Sequence, residues 1–177
     1  MATASTRTGV YPGTFDPATV AHVHVAAAAR DQCRLDRVDL TISEVTLGKD
    51  DGSLTPIEGR TAHLAALAAA QPWLGVRTTT ASLLADIAEG YDVLVVGADK
   101  WHQLLDAAWY GSTSERDRAL ARLPVVAVAP RPPWTVPTPA DELPAGLQVV
   151  VLDTDPAHHP VSATAVRDGR DEWRARP

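Results

Sequence analysis

An α/β fold, a parallel sheet covered by helices on both faces, is what this sequence predicts. Two observations carry that prediction. Strand-like and helix-like segments alternate along the whole chain, and the segments 92–96 and 124–129 are apolar runs of the kind buried on both faces of a parallel sheet. A chain of 177 residues with 45% hydrophobic and 21% charged content fits one globular domain with a sizeable core.

The elements follow in order. Residues 9–11 form a short first strand through Val10 and Tyr11, and Pro12-Gly13-Thr14 is a turn. Residues 21–31 are alanine-rich and helical, and 38–42 are a second strand. The stretch 43–56 is a loop, because Gly48, Lys49, Asp50, Asp51 and Gly52 are turn or mobile types. In 58–71, Leu64, Leu67 and Ala68 share a helical face. Val76 and the threonines make 75–80 a strand. A helix at 82–89 is expected to be capped by Ser82 and closed by Gly90. Helices are predicted at 100–108 and 114–122, and a last strand at 147–152. The proline-crowded stretch 130–144 can be neither helix nor central strand, so it reads as a crossing or edge loop. The expected organisation is a single domain over 1–177 with a loose lead-in at 1–8 and no internal repeat. Ligands of such sheets sit beyond the carboxyl ends of the strands. The turn after Tyr11, the segment after Val96 and the segment around Ser162 all follow strands and can meet at one edge.

Composition narrows the function classes. A net charge of −6 and a pI of about 5.4 argue against the broad positive footprint of a DNA- or RNA-binding protein. An acidic chain that binds an anionic ligand must concentrate its positive groups locally. The lone Cys33 excludes an intramolecular disulfide framework and fits a reducing cytoplasm. No apolar run approaches the ~20 residues that span a bilayer, and 1–8 lack a signal-peptide core.

The most informative segment is 11–25, Tyr-Pro-Gly-Thr-Phe-Asp-Pro-Ala-Thr-Val-Ala-His-Val-His-Val. A strand runs into a glycine turn and then a helix start that carries His22. Unpaired N–H groups at a helix start favour phosphate, and a histidine there adds a side-chain donor. The segment resembles the nucleotidyltransferase superfamily with the G-x-F-D-P-x-[T/H]-x-G-H motif, which includes nicotinate-nucleotide and pantetheine-phosphate adenylyltransferases. Gly13, Phe15, Asp16, Pro17, Thr19 and His22 match, and Ala21 stands where the family has glycine. Near the other end, 161–167 resembles the I-S-S-T-x-x-R motif through Ser162, Thr164 and Arg167, with Ala163 replacing the second serine.

The resemblance implies a Rossmann-like nucleotidyltransferase domain and adenylyl transfer from ATP to a small phosphorylated acceptor, without a covalent enzyme intermediate. His22, Thr19 and Arg167 would be catalytic. Gly13, Thr14 and Phe15 would line the nucleotide site, and Ser162, Thr164 and Arg167 would hold the β- and γ-phosphates. Gly97-Ala98-Asp99 resembles the G-[A/S]-D segment of nicotinate-nucleotide adenylyltransferases, with Leu104 fitting downstream. That likeness implies Gly97 and Asp99 near the ribose and Trp109 as a ring that stacks on the acceptor. Asp99 could equally be a helix N-cap, and Trp101 and Trp109 core residues. Lys49 and Arg60 are the candidates for the acceptor phosphate.

Nicotinate or nicotinamide mononucleotide is the favoured acceptor, with phosphopantetheine transfer and cytidylyl transfer as alternatives. A non-catalytic nucleotide-binding module is the other class, on the evidence of Ala21 and Ala163. A homo-oligomer stays open. No dedicated metal site is expected: His22 and His24 diverge on a helix, and His158-His159 reads as a polar loop. Mg²⁺ would arrive with ATP, with Asp16 as the nearest motif carboxylate.

Overall fold

In the computed structural model, which describes residues 6–45, 54–139 and 141–177, six parallel strands form one sheet. The chain order is β1 (Thr8–Pro12), α1 (Val20–Gln32), β2 (Arg37–Ser43), α2 (Ile57–Ala70), β3 (Leu74–Thr79), α3 (Leu84–Ile87), β4 (Val93–Gly97), α4 (Ala98–Leu105), α5 (Thr113–Leu120), β5 (Val125–Ala129), β6 (Val149–Val151) and α6 (Ala163–Arg167). Across the sheet the order is β3-β2-β1-β4-β5-β6, with every pair parallel. The order reverses direction between β1 and β4, which opens a crevice beyond their carboxyl ends.

Strand alternation divides the core between the two faces. Tyr11, Val93 and Val95 point to a layer with Leu40, Leu64 and Leu67, which packs α1 and α2. Val10, Leu94 and Val96 point to the opposite layer with Ile87, Trp101, Leu104 and Leu120, which packs α3, α4 and α5. Trp101 is therefore a core residue, 3% exposed.

The structure corrects several details. β1 begins at Thr8 because its neighbour Arg7 is tied to Asp36: the Arg7 N–H donates to the Asp36 carboxylate at 2.7 Å, and the Asp36 N–H donates back to the Arg7 carbonyl at 2.9 Å. Ser82 does not cap α3. Leu83 holds the N-cap position without a side-chain bond, and the helix has four residues. α4 starts at Ala98 and ends at Leu105, where Asp106 turns extended and its carboxylate takes the Ala108 N–H at 2.9 Å, starting a separate 3₁₀ turn. The proline-crowded stretch crosses over the α4 side, where Val136 and Leu143 pack on the core. Among the described residues, no helix is long and apolar enough to cross a membrane.

Candidate active site

The first motif forms the turn between β1 and α1. Gly13 is required there by contact: a Cβ on it would lie 2.8 Å from the Phe15 ring. Phe15 has a left-handed φ of 48° and is 2% exposed. Its ring meets Tyr11 edge-on at 5.7 Å and His22 at 5.0 Å. Phe15 thus lines the cavity mainly by packing the His22 ring. The Gly13 N–H is committed to the Thr41 carbonyl at 3.0 Å. Gly13 lines the cavity, but that bond takes its amide out of the donors that could face it.

Thr19 caps α1 in a reciprocal capping box. Its hydroxyl accepts the His22 N–H at 3.4 Å, and its own N–H donates to His22 Nδ1 at 2.9 Å. A backbone amide can only donate, so Nδ1 is an acceptor and the neutral ring carries its proton on Nε2. Burial, then the positive charge of Arg131, push the imidazole down to about 4, with Asp99 opposing. His22 is therefore a neutral Nε2–H donor at the wall of the cavity.

The second motif is brought to this turn from the far end of the chain. α1 grips the segment after β6: Gln32 and Asp153 exchange bonds at 2.8 and 2.9 Å, and His24 Nε2 accepts the Asp155 N–H at 3.0 Å. The rings of His24 and His158 stack at 4.2 Å. Ser162 then caps α6, accepting the Ala165 N–H at 3.1 Å. Arg167 joins the motifs. One guanidinium nitrogen donates to the Asp16 carbonyl, and the other donates to the Thr164 hydroxyl at 3.2 Å. Its Nη1 also lies 3.8 Å from the buried Asp16 carboxylate.

Residues of both motifs line one cavity of about 370 Å³ at the crevice between β1 and β4. Thr14, Gly97, Asp99, Ser162 and Thr164 lie on its wall with His22 and Arg167. Asp99 stands in the first turn of α4, whose N-cap is Gly97, so the N-cap reading of Asp99 is corrected. A second cavity of about 160 Å³ shares Pro12, Gly13, Thr14 and Lys100 with the first, and Arg60 and Trp109 line it. Arg60 is no solvated surface charge. It is 8% exposed and donates to the carbonyls of Thr55 and Thr14, each at 2.8 Å. Trp109 is 42% exposed. Lys49 lies outside the described residues.

Sequence reasoning missed Arg131 and the docking role of His24. Arg131 sits in a proline-crowded stretch without a motif. Its one signal was position, two residues past an apolar strand. His24 gave no signal, because its partners lie 131 residues or more away in sequence.

Asp16 Oδ2 accepts the Thr55 N–H at 3.1 Å and faces Arg167. Among the described residues no three His, Cys, Asp or Glu side chains gather to hold a metal. A cation carried in on polyphosphate asks less of the protein, one or two carboxylates at most, and Asp16 fits that demand.

Known proteins resemble the chain in part of its sequence and in its fold. Probable nicotinate-nucleotide adenylyltransferases from two strains of Methylorubrum extorquens are each 42% identical to the chain over 62 residues. That match spans 35% of this chain and only 34% of the length of those relatives. Plasmodium falciparum nicotinic acid mononucleotide adenylyltransferase, solved with NaAD, superposes with a TM-score of 0.63 at 13% identity, over 92% of this chain and 83% of that one. The same enzyme solved with APC gives 0.62 at 12% identity over the same shares. At those identities the likeness is one of fold. The family model described as cytidylyltransferase-like matches residues 10–169, from β1 through α6 and across both ends of the cavity, and the chain belongs to that family.

Proposed function

We propose that this chain is an adenylyltransferase that joins the adenylyl group of ATP to nicotinate or nicotinamide mononucleotide and releases pyrophosphate. A phosphate oxygen of the acceptor attacks the α-phosphorus, the bond to the bridging β-phosphate oxygen breaks, and pyrophosphate leaves. The nucleophile is already ionised, so the site must supply position and charge rather than a strong base. The carrying observation is the Arg167 guanidinium that ties Asp16 of the first motif to Thr164 of the second, in the cavity that His22 also lines.

In this reading His22 donates from Nε2 to the phosphate oxygens where charge builds. Thr19 fixes the ring so that no tautomer change is needed. Arg167, Ser162 and Thr164 hold the outer phosphates, the Thr14 amide faces the same anion, and Gly97 and Asp99 flank the ribose. Arg60 and Trp109 in the adjoining cavity take the acceptor, and Lys49 belongs with them by its place in sequence. Mg²⁺ accompanies ATP and neutralises part of its charge. The lone Cys33 supports a cytoplasmic setting.

Pyrophosphate release measured with ATP or CTP, Mg²⁺ and a panel of acceptor phosphates tests the reading. Release is expected with ATP and nicotinate mononucleotide, and His22→Ala is expected to lower kcat about 10²–10³-fold. Measurable ATP binding without release for any acceptor would make the chain a nucleotide-binding module instead. Release that His22→Ala leaves unchanged would overturn the mechanism.

A further inference from the structure

We propose that Arg131 is a further catalytic residue: it binds the phosphate oxygens of the nucleotide triphosphate from the β4–β5 rim of the cavity, while Arg167 binds them from the α6 side. This deepens the adenylyltransferase reading and rests on it.

Among the described residues three guanidinium groups stand at the paired cavities, and two of them already spend part of their donors on protein oxygens. Arg60 donates to two carbonyls, and Arg167 donates to the Asp16 carbonyl and the Thr164 hydroxyl. Arg131 lines the larger cavity, and among the described residues its guanidinium makes no hydrogen bond. Its single side-chain partner there is Asp99 Oδ1 at 3.8 Å, beyond hydrogen-bond distance. Five N–H donors in a planar fork are therefore uncommitted, and a phosphate is a natural acceptor for them.

The backbone presents that fork from a fixed place. Arg131 follows the last residue of β5 by two positions, and its carbonyl accepts the Trp134 N–H at 3.0 Å, which closes the Arg-Pro-Pro-Trp turn. The Arg131 stem crosses Gly97: a Cβ there would sit 4.0 Å from Arg131 Cδ. The guanidinium is thus carried over the end of β4 toward the β1 turn. Its charge is felt at the neighbouring ring, since after burial Arg131 is the largest influence holding His22 below its usual range. With net charge −6 over the chain, a cation held here with open donors is suited to a polyanion. On binding, Arg131 exchanges its long contact with Asp99 for the phosphate.

The test compares wild type, Arg131→Gln and Arg131→Lys. Titration calorimetry with a non-hydrolysable ATP analogue is expected to show about tenfold to hundredfold weaker binding for Arg131→Gln. Arg131→Lys should recover part of the loss, because it keeps the charge but not the fork. In turnover, kcat/KM for ATP should fall at least as far while the acceptor KM moves less than about twofold. Thermal melts control for folding, which an arginine side chain that is 46% exposed and makes no hydrogen bond among the described residues does not carry. Binding within about twofold of wild type, or a loss confined to the acceptor KM, overturns the proposal. If wild type binds the analogue but releases no pyrophosphate, the reaction assignment fails alone, and the binding comparison still decides the role of Arg131.

Discussion

Because the Thr19 amide can only donate, its bond to His22 Nδ1 at 2.9 Å leaves the second ring nitrogen as the one that carries hydrogen. Adding a proton at Nδ1 must break that bond and charge a part-buried ring beside Arg131. The imidazole is held down at about 4, against an ordinary value of 6.5. Between these values the unfolded chain binds the extra proton and the folded chain does not. Stability linked to His22 is therefore fully present above 6.5 and is lost as pH falls toward 4. Nitrogen-resolved NMR of the ligand-free protein should find a neutral Nε2–H tautomer down to about pH 5. A ring titrating near 6.5 would contradict the capping geometry. The positions of His22, Thr19, Ser162, Thr164 and Arg167 were legible in the sequence, since each sits in a spaced motif after a strand. Their states were not. The tautomer depends on a bond length, and the Gly13 amide was lost to Thr41 on β2, a partner that no local pattern marks.

At the level of elements, β2 carries a buried carboxylate among the apolar residues Val38, Leu40 and Ile42. Asp39 is 2% exposed and accepts from Arg37 Nε at 2.6 Å, Arg77 Nε at 2.9 Å and the Tyr91 hydroxyl at 2.9 Å. Burial pushes its carboxyl up, but the hydrogen bonds from Arg37, Tyr91 and Arg77 outweigh it and hold the group below its ordinary range. Its contribution is present above the unfolded value and is lost as pH falls through the lowered folded one. The cluster explains Gly75 on β3, where a Cβ would come 1.8 Å from the Asp39 carboxylate and 2.2 Å from the Arg37 guanidinium. Asp39→Ala is expected to cost about 2 kcal/mol in urea unfolding, and no more than that because both arginines remain largely hydrated. Turnover should be unaffected, since Asp39 lies toward the amino end of β2, away from the cavity. Strands were the most legible elements, because apolar runs and β-branched residues mark them. Short helices were the least legible. Four residues of α3 offer too few periods to place a cap, and the Asp106 bond that ends α4 competes locally with helix.

Across the whole molecule the turn before α1 is held by segments from both later thirds of the chain. After α6 the chain returns to that turn: Thr19 and Arg174 form an antiparallel bridge, and the Ala175 N–H donates to the Ala18 carbonyl at 3.0 Å. From α2, His63 Nε2 bonds the Ala175 carbonyl at 2.9 Å, and Arg60 bonds the Thr14 carbonyl. Ala18, Thr19 and Ala175 are 0%, 1% and 3% exposed, so this strap is interior structure. Thr19 orients His22, so slack in the strap must reach the imidazole. Ala175→Pro removes the donated N–H without removing buried volume. It should cost about 1 kcal/mol of stability and lower kcat for pyrophosphate release about tenfold through misorientation of His22. His63→Ala should move both quantities in the same direction by less, because it leaves the Ala175–Ala18 bond in place. Denaturant midpoints and initial rates measured on the two variants decide the matter: a stability loss with kcat unchanged would reduce the strap to packing and separate it from the chemistry of His22.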